Sequence, residues 1–96
     1  TAPVFTQAPG AYWGDWVAGD DRNLVLTFAT NENTTVNIEI RGCDDDVLVY
    51  SSSSNGSTDS HEFQVPLYYW NWYKDCVTPI DRAGNVGERV CSTSCY

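Results

Sequence analysis

The stretch Val36–Ile40 reads VNIEI, with an apolar residue at every even position and a polar residue at each odd one. Side chains along a β-strand alternate between its two faces, so this pattern predicts a strand with one face in a core. Residues 24–29 (LVLTFA) also place apolar residues at the even positions up to 28. Residues 31–33 between them are rich in asparagine, a turn former, which predicts two strands joined by a turn.

Strands and turns continue outward in both directions, and no long stretch has the period of a helix. Residues 1–10 contain two prolines, which favours an edge strand or an arm that exchanges with a neighbouring molecule. The serine-rich residues 51–60 predict a flexible loop. Further strands are predicted at 11–16, 47–50, 62–67, 70–80 and 86–91, giving about seven strands in one all-β domain spanning residues 1–96.

The four cysteines are Cys43, Cys76, Cys91 and Cys95. No pair has the C-x2-C spacing of a structural zinc site, and an even number of cysteines in a short chain predicts two disulfides. Disulfides persist in oxidising compartments, so a secreted or cell-surface location is expected. Neither a metal nor any other cofactor is expected.

The chain carries 13 acidic and five basic residues, for a net charge of −8. Binding to nucleic acid or to anionic membranes requires lysine and arginine to meet phosphates, so neither is an expected partner. No apolar run approaches the roughly 20 residues of a membrane span, and membrane insertion is not expected. Proteins, including copies of the same chain, and carbohydrates are the partner classes that remain.

Three segments show a known pattern. Phe63–Leu67 (FQVPL) is followed, after an alternating strand, by the turn Asp81–Asn85 (DRAGN), and Ala2–Phe5 (APVF) is a proline-led first strand. The arrangement resembles the immunoglobulin-like repeats of bacterial adhesins and surface proteins, and the HYR modules of animal proteins. The resemblance implies an immunoglobulin-like Greek-key β-sandwich that serves as a spacer, adhesin or stalk, and it carries over no binding residue. The four cysteines and Asp75, at a core-facing position, depart from the pattern.

The predicted strand faces are compatible with two disulfide pairings. With Val77 facing inward, Cys76 faces outward, where a cysteine on either neighbouring strand of the expected sandwich could meet it. The pairing Cys43–Cys76 with Cys91–Cys95 is slightly favoured. The alternative is Cys76–Cys91 with Cys43–Cys95, and either pairing fastens the C-terminal segment to the sandwich.

Aromatic residues are dense at 12–16 (YWGDW) and 68–73 (YYWNWY). Because a strand alternates, half of these rings should reach solvent, and the predicted faces put Trp70 and Trp72 outward. Exposed Trp and Tyr anchor protein interfaces and also stack on sugars, whereas a core or covering role is the structural alternative. The candidate binding residues are Trp13, Trp16, Tyr68, Trp70 and Trp72.

Two weaker signals lie in predicted turns and loops. Asp44, Asp45 and Asp46 are a weak calcium candidate, because oxygen clusters in loops bind this ion, but a solvated turn is the favoured interpretation. Asn33 and Asn55 each begin an N-x-S/T acceptor sequence, which predicts N-linked glycosylation at both.

The sequence gives little support for a catalytic function. His61, the one histidine, is expected at the surface, and no nucleophile elbow, P-loop or zinc-protease motif is present. The sequence therefore predicts a non-enzymatic extracellular module that acts structurally or in adhesion through protein–protein contacts, as a repeat or as a subunit of a surface array or filament. A carbohydrate-binding module using Trp13, Trp70 and Trp72 is the alternative, and a secreted inhibitor or toxin-like ligand is a third interpretation.

Overall fold

A computed structural model describes residues 3–54, 58–92 and 94–96. Every regular element in these ranges is a strand, all pairs are antiparallel, and two disulfides are present, which confirms the predicted disulfide-bonded all-β class. Across the same ranges, no helix of the length and apolarity needed to cross a membrane occurs. The six strands are β1 (Phe5–Ala18), β2 (Asp21–Gly42), β3 (Leu48–Ser53), β4 (Thr58–Tyr68), β5 (Tyr73–Asp81) and β6 (Val90–Cys91).

Strand β2 is the central element and changes partners halfway along. Residues 21–30 pair with β1 and β4, whereas residues 34–42 pair with β3 and β5, and β5 pairs with β6. The orders β1–β2–β4 and β3–β2–β5–β6 are consistent with the two sheets of an immunoglobulin-like sandwich. The predicted break at residues 31–33 is wrong. Those residues stay extended as an exposed corner, so one long strand replaces two and the count is six.

The core is built on the even positions of β2, as the alternation predicts. Leu24 to Phe28 and Val36 to Ile40 place six even-numbered apolar side chains in the core, each at most 2 % exposed. Burial of one such side chain contributes about 1.5–3 kcal/mol. Side chains of β4 and β5 complete a single cluster that both halves of β2 share, namely Val65, Leu67, Tyr73 and Val77.

The segment at residues 3–10 lies against the body of its own chain. Within β1, Phe5 is opposite Thr30 and Gly10 is opposite Thr27, so this part of the chain occupies an edge-strand position. The Phe5 ring packs edge-on against Phe28, with 5.8 Å between the ring centroids. The pairing is irregular, because the register shifts twice between Phe5 and Gly10.

The serine-rich segment differs from the predicted loop. Residues 51–53 extend β3 and residues 58–60 begin β4, while residues 55–57 lie outside the described part of the chain. Serine hydroxyls stabilise this strand edge by bonding polar groups of β2. Ser53 Oγ donates to Asn37 Oδ1 at 2.6 Å, and the Val36 amide donates to Ser54 Oγ at 3.0 Å.

The disulfides are Cys43–Cys95 and Cys76–Cys91, so the favoured pairing was wrong and the alternative is confirmed. Cys76 and Cys91 are direct partners in the β5–β6 register, and this bridge leaves Cys76, predicted to face outward, buried. Cys95 reaches Cys43 because the backbones of Tyr73 and Tyr96 exchange two hydrogen bonds, of 2.7 and 2.8 Å, which draw the C-terminal segment to that end of β5.

Candidate functional site

An aromatic cluster forms where β1 meets the connection between β4 and β5, and Tyr69 is its centre. The Tyr69 ring lies edge-on to three tryptophans, with centroid distances of 5.1 Å to Trp13, 5.2 Å to Trp16 and 4.9 Å to Trp70. Aromatic pairs at such separations contribute about 0.5–1.5 kcal/mol each beyond burial. Sequence reasoning did not single out Tyr69, because its importance depends on contacts between distant parts of the chain.

Arg22 packs against the same cluster from β2. Its guanidinium carbon lies 5.0 Å from the Trp16 ring centroid and 4.9 Å from that of Tyr69, and Nε donates to the Gly14 carbonyl at 2.9 Å. These are cation–π contacts, which arginine makes readily with tryptophan and tyrosine. Arg22 therefore fixes the rings by charge as well as by packing, and no pattern in the sequence indicated this role.

Four of the five candidate aromatic residues are exposed. Trp70 and Trp72 are 62 % and 65 % exposed, and Trp16 and Tyr68 are also accessible. Trp13 is half-buried and packs on the core, with its ring centroid 6.0 Å from that of Tyr73. The predicted strand at 70–80 starts only at Tyr73, so Trp70 and Trp72 project from a turn rather than from a strand face.

The two exposed tryptophans form one wall of a cleft of about 280 Å³, here called the Trp70/Trp72 cleft. The opposite wall is the segment between β2 and β3. The Cys43 amide donates to the Trp72 carbonyl at 3.0 Å, which ties the two walls together beside the Cys43–Cys95 disulfide. The side chains that line the cleft include Asp44, Asp45, Val47, Val49, Trp70 and Trp72.

Apolar exposure extends from the cleft along the start of β3. Val47, Leu48, Val49 and Tyr50, which the sequence predicts to form a strand, are all exposed. The register slips between Ile40 and Arg41, where two β3 residues span one β2 step, so the strand does not alternate regularly. Val47 and Val49 lie in the wall of the cleft, so the aliphatic and aromatic surfaces are continuous.

The three aspartates of the acidic turn have different surroundings. Asp46 pairs with Lys74 at 2.9 Å, and the hydrogen bond and charge of Lys74 lower the pKa of Asp46. Asp45 Oδ1 accepts the Val47 amide at 3.1 Å, and neither Asp44 nor Asp45 has an ion pair among the described residues. Nowhere in those residues do three His, Cys, Asp or Glu side chains gather as metal ligands, so the calcium hypothesis gains no support.

His61 is buried, which corrects the surface position expected for it. It lies on the core-facing side of β4, stacked on Phe28 with 5.0 Å between ring centroids, and Nε2 is 3.3 Å from Thr34 Oγ1. Asn33 lies exposed at the corner of β2, where glycosylation stays a prediction. Asn55, the second predicted glycan site, lies outside the described residues.

Comparisons of the chain with protein-family models, with curated proteins and with solved structures found no match of any kind.

Proposed function

We propose that this protein is a non-enzymatic extracellular module that acts through contacts with other proteins, in a structural or adhesive role. The observation that carries the proposal is the exposed apolar surface around the Trp70/Trp72 cleft and along residues 47–50. Contiguous exposed apolar surface on a small domain marks an interaction site, and tryptophan is among the residues that dominate interface energies. The two disulfides support an oxidising compartment, and secretion or surface display is part of the proposal.

The Trp70 ring and the Trp72 backbone are held in place before any partner arrives. Trp70 Nε1 donates to Asp20 Oδ1 at 3.4 Å, and the Trp70 ring packs against Tyr69. Trp72 is anchored through its carbonyl, which accepts the Cys43 amide. A contact surface whose side chains are already ordered loses less entropy on binding, which favours use as an interface.

Assembly into a surface array or filament is one form that such contacts can take. The segment at residues 3–10 lies at the sheet edge with irregular register, so the same side chains could dock on a neighbouring molecule by exchange. Deletion of residues 1–10 tests this point, because an assembly that survives the deletion is not linked by this segment.

Carbohydrate binding is the second candidate function. The observation that favours it is the pair of exposed indoles on either side of Asn71, close to the carboxylates of Asp44 and Asp45, which have no ion pair among the described residues. Flat aromatic faces stack on sugar rings, while amides and carboxylates bond hydroxyl groups.

The double variant W70A/W72A tests the protein-contact proposal, with Y12A as a matched control that removes an exposed aromatic ring from β1. Light scattering at micromolar concentration would detect self-assembly, and arrays of extracellular proteins and of glycans would detect other partners. Protein binding lost in W70A/W72A but kept in Y12A supports the proposal. Glycan binding with the same pattern supports the alternative, and protein binding unchanged in W70A/W72A contradicts a role for this surface.

A further inference from the structure

The five basic side chains differ in whether they have an ion-pair or ring partner. Arg82 is exposed, and it has no ion pair, ring contact or side-chain hydrogen bond within the described part of the chain. The other four have partners, which are the Trp16 and Tyr69 rings for Arg22, Glu39 for Arg41 and Arg89, and Asp46 for Lys74.

Arg82 is presented by an ordered turn at one end of β5. The Asp81 carboxylate accepts the amides of Ala83 and Asn85, at 3.0 and 2.8 Å, and Gly84 takes a positive φ of 87° that suits glycine. The side-chain hydrogen bond from Asn85, together with these backbone bonds, lowers the pKa of Asp81, so its negative charge is stabilised inside the turn. The Arg82 side chain is thus left for a partner.

The Trp70/Trp72 cleft lies at the opposite end of β5. That strand begins at Tyr73, in the wall of the cleft, and ends at Asp81, directly before Arg82. The cleft volume of about 280 Å³ is just below the range of about 300–1,000 Å³ typical of small-molecule pockets, which suits one inserted side chain. Its lining combines indole rings with two carboxylates that have no ion pair within residues 3–54, 58–92 and 94–96, the combination that attracts a guanidinium group.

The same chain already shows this kind of contact. Arg22 lies over Trp16 and Tyr69 in the neighbouring part of the aromatic cluster. Among the described residues, no lysine or arginine fills the equivalent position beside Trp70 and Trp72. With a net charge of −8, copies of this chain repel one another, and a contact between an exposed cation and exposed carboxylates offsets part of that repulsion.

We infer that the partner of the Trp70/Trp72 cleft is a second copy of this chain, which inserts Arg82 between the tryptophans and the carboxylates of Asp44 and Asp45. The inference rests on the proposed contact function and names its partner. Because donor and acceptor lie at opposite ends of β5, the contact is heterologous and repeats head to tail, which generates an open array.

Two variants of the full chain with altered charges test this pairing. Sedimentation equilibrium from micromolar to millimolar concentration measures the association of each variant alone and of their mixture. R82E removes the donor, and D44K/D45N reverses the acceptor while the asparagine can still accept the Val47 amide. We expect each variant alone to raise the dissociation constant of the wild-type assembly by about tenfold or more. An equimolar mixture should associate again, because each variant then supplies the charge that the other lacks.

Loss of assembly by D44K/D45N alone separates a specific contact from an effect of net charge, because this variant is less negative than the wild type and weaker mutual repulsion alone would strengthen its association. A wild-type chain that stays monomeric, an assembly that both variants retain, or a mixture that fails to recover would each overturn the inference. If W70A/W72A loses binding to an arrayed protein while R82E keeps it, the contact function survives and only self-pairing is overturned.

Discussion

Ser92 satisfies both backbone polar groups of Asp75, whose carboxylate is buried. The Ser92 amide donates to the Asp75 carbonyl at 2.8 Å, and the Ser92 hydroxyl accepts the Asp75 amide at 3.2 Å. Asp75 is 0 % exposed, and neither carboxylate oxygen has a hydrogen-bond partner within the described residues. Burial therefore raises the pKa of Asp75, because removal from water disfavours the charged form.

Stability should consequently depend on the protonation of Asp75. The folded chain holds this proton more tightly than the unfolded chain, whose pKa is near 3.8. The contribution of protonated Asp75 to the free energy of unfolding is fully present below the unfolded-state pKa. It is lost as pH rises through the folded-state pKa. We expect D75N, which cannot ionise, to be more stable than the wild type at neutral pH by about 1 kcal/mol or more. Urea unfolding at a series of pH values measures the difference.

The control for this experiment is D59N, which changes an exposed aspartate of β4. Glu39, Asp46 and Asp81 have lowered pKa values and make stability fall toward acid pH, so only the difference between D75N and wild type isolates Asp75. If the free energies of unfolding of D75N and wild type run parallel when plotted against pH, Asp75 releases its proton at the same pH in the folded and unfolded chains.

The disulfide pairing has a direct chemical test. Trypsin cleaves after lysine and arginine, so the cysteines fall on peptides 42–74, 75–82 and 90–96, the last with two cysteines. The Cys43–Cys95 and Cys76–Cys91 bridges join all three peptides into one species. Mass spectrometry of the unreduced digest should therefore find a single linked product. A free 90–96 peptide with an internal bridge, beside a 42–74 and 75–82 pair, would instead show the pairing that the structure contradicts.

The fold was predictable where the information is local. Alternation places Val36, Ile38 and Ile40 in the core whatever their partners are, because a strand repeats every two residues. The same rule places His61 inward, two residues before Phe63 on β4, and the polar residues around His61 do not change the face on which it lies. The strand period was therefore the better guide to burial here.

The candidate site was less predictable, because it depends on long-range contacts. Exposure of Trp70 and Trp72 followed from counting strand positions, yet both lie in a turn. The cleft exists because Cys43 bonds Trp72 across 29 positions of sequence, and no periodicity encodes such a contact. The roles of Arg22 and Tyr69 likewise arise only when β2 and the connection after β4 meet.

Arg22 should stabilise the aromatic cluster measurably. R22A removes two cation–π contacts and the hydrogen bond to Gly14, so we expect a loss of about 1–2 kcal/mol in the free energy of unfolding. R22K keeps the charge but not the planar fork, and its loss should be intermediate. Urea unfolding of the monomeric chain, at a protein concentration below that of self-association, measures both variants. R82A is the control, expected to stay within about 0.5 kcal/mol of wild type because Arg82 has no side-chain partner within the described part of its own chain. Equal stability of R22A and R82A would show that Arg22 contributes nothing.

Gly87 holds the segment at residues 3–10 against the body by leaving room for it. A methyl group at Gly87 would lie 2.5 Å from the Pro3 carbonyl oxygen and 2.8 Å from the Pro79 ring. The Gly87 amide also donates to the Pro79 carbonyl at 2.8 Å, so the glycine cannot withdraw without loss of that bond. We expect G87A to lower the free energy of unfolding by about 1–3 kcal/mol, the usual cost of overpacking.

The same variant should release the N-terminal segment, since Pro3 is the less constrained of the two obstacles. Hydrogen exchange at the Val4 amide, which donates to Asn31 Oδ1 at 3.1 Å, should then accelerate. G10A is the matched control, because no atom lies within 4 Å of a methyl group at Gly10 and its φ is not positive. If G87A exchanges and unfolds like G10A, the contact with Pro3 does not restrain the segment. If G87A instead forms oligomers, the released segment docks on neighbouring copies, as an exchangeable strand requires.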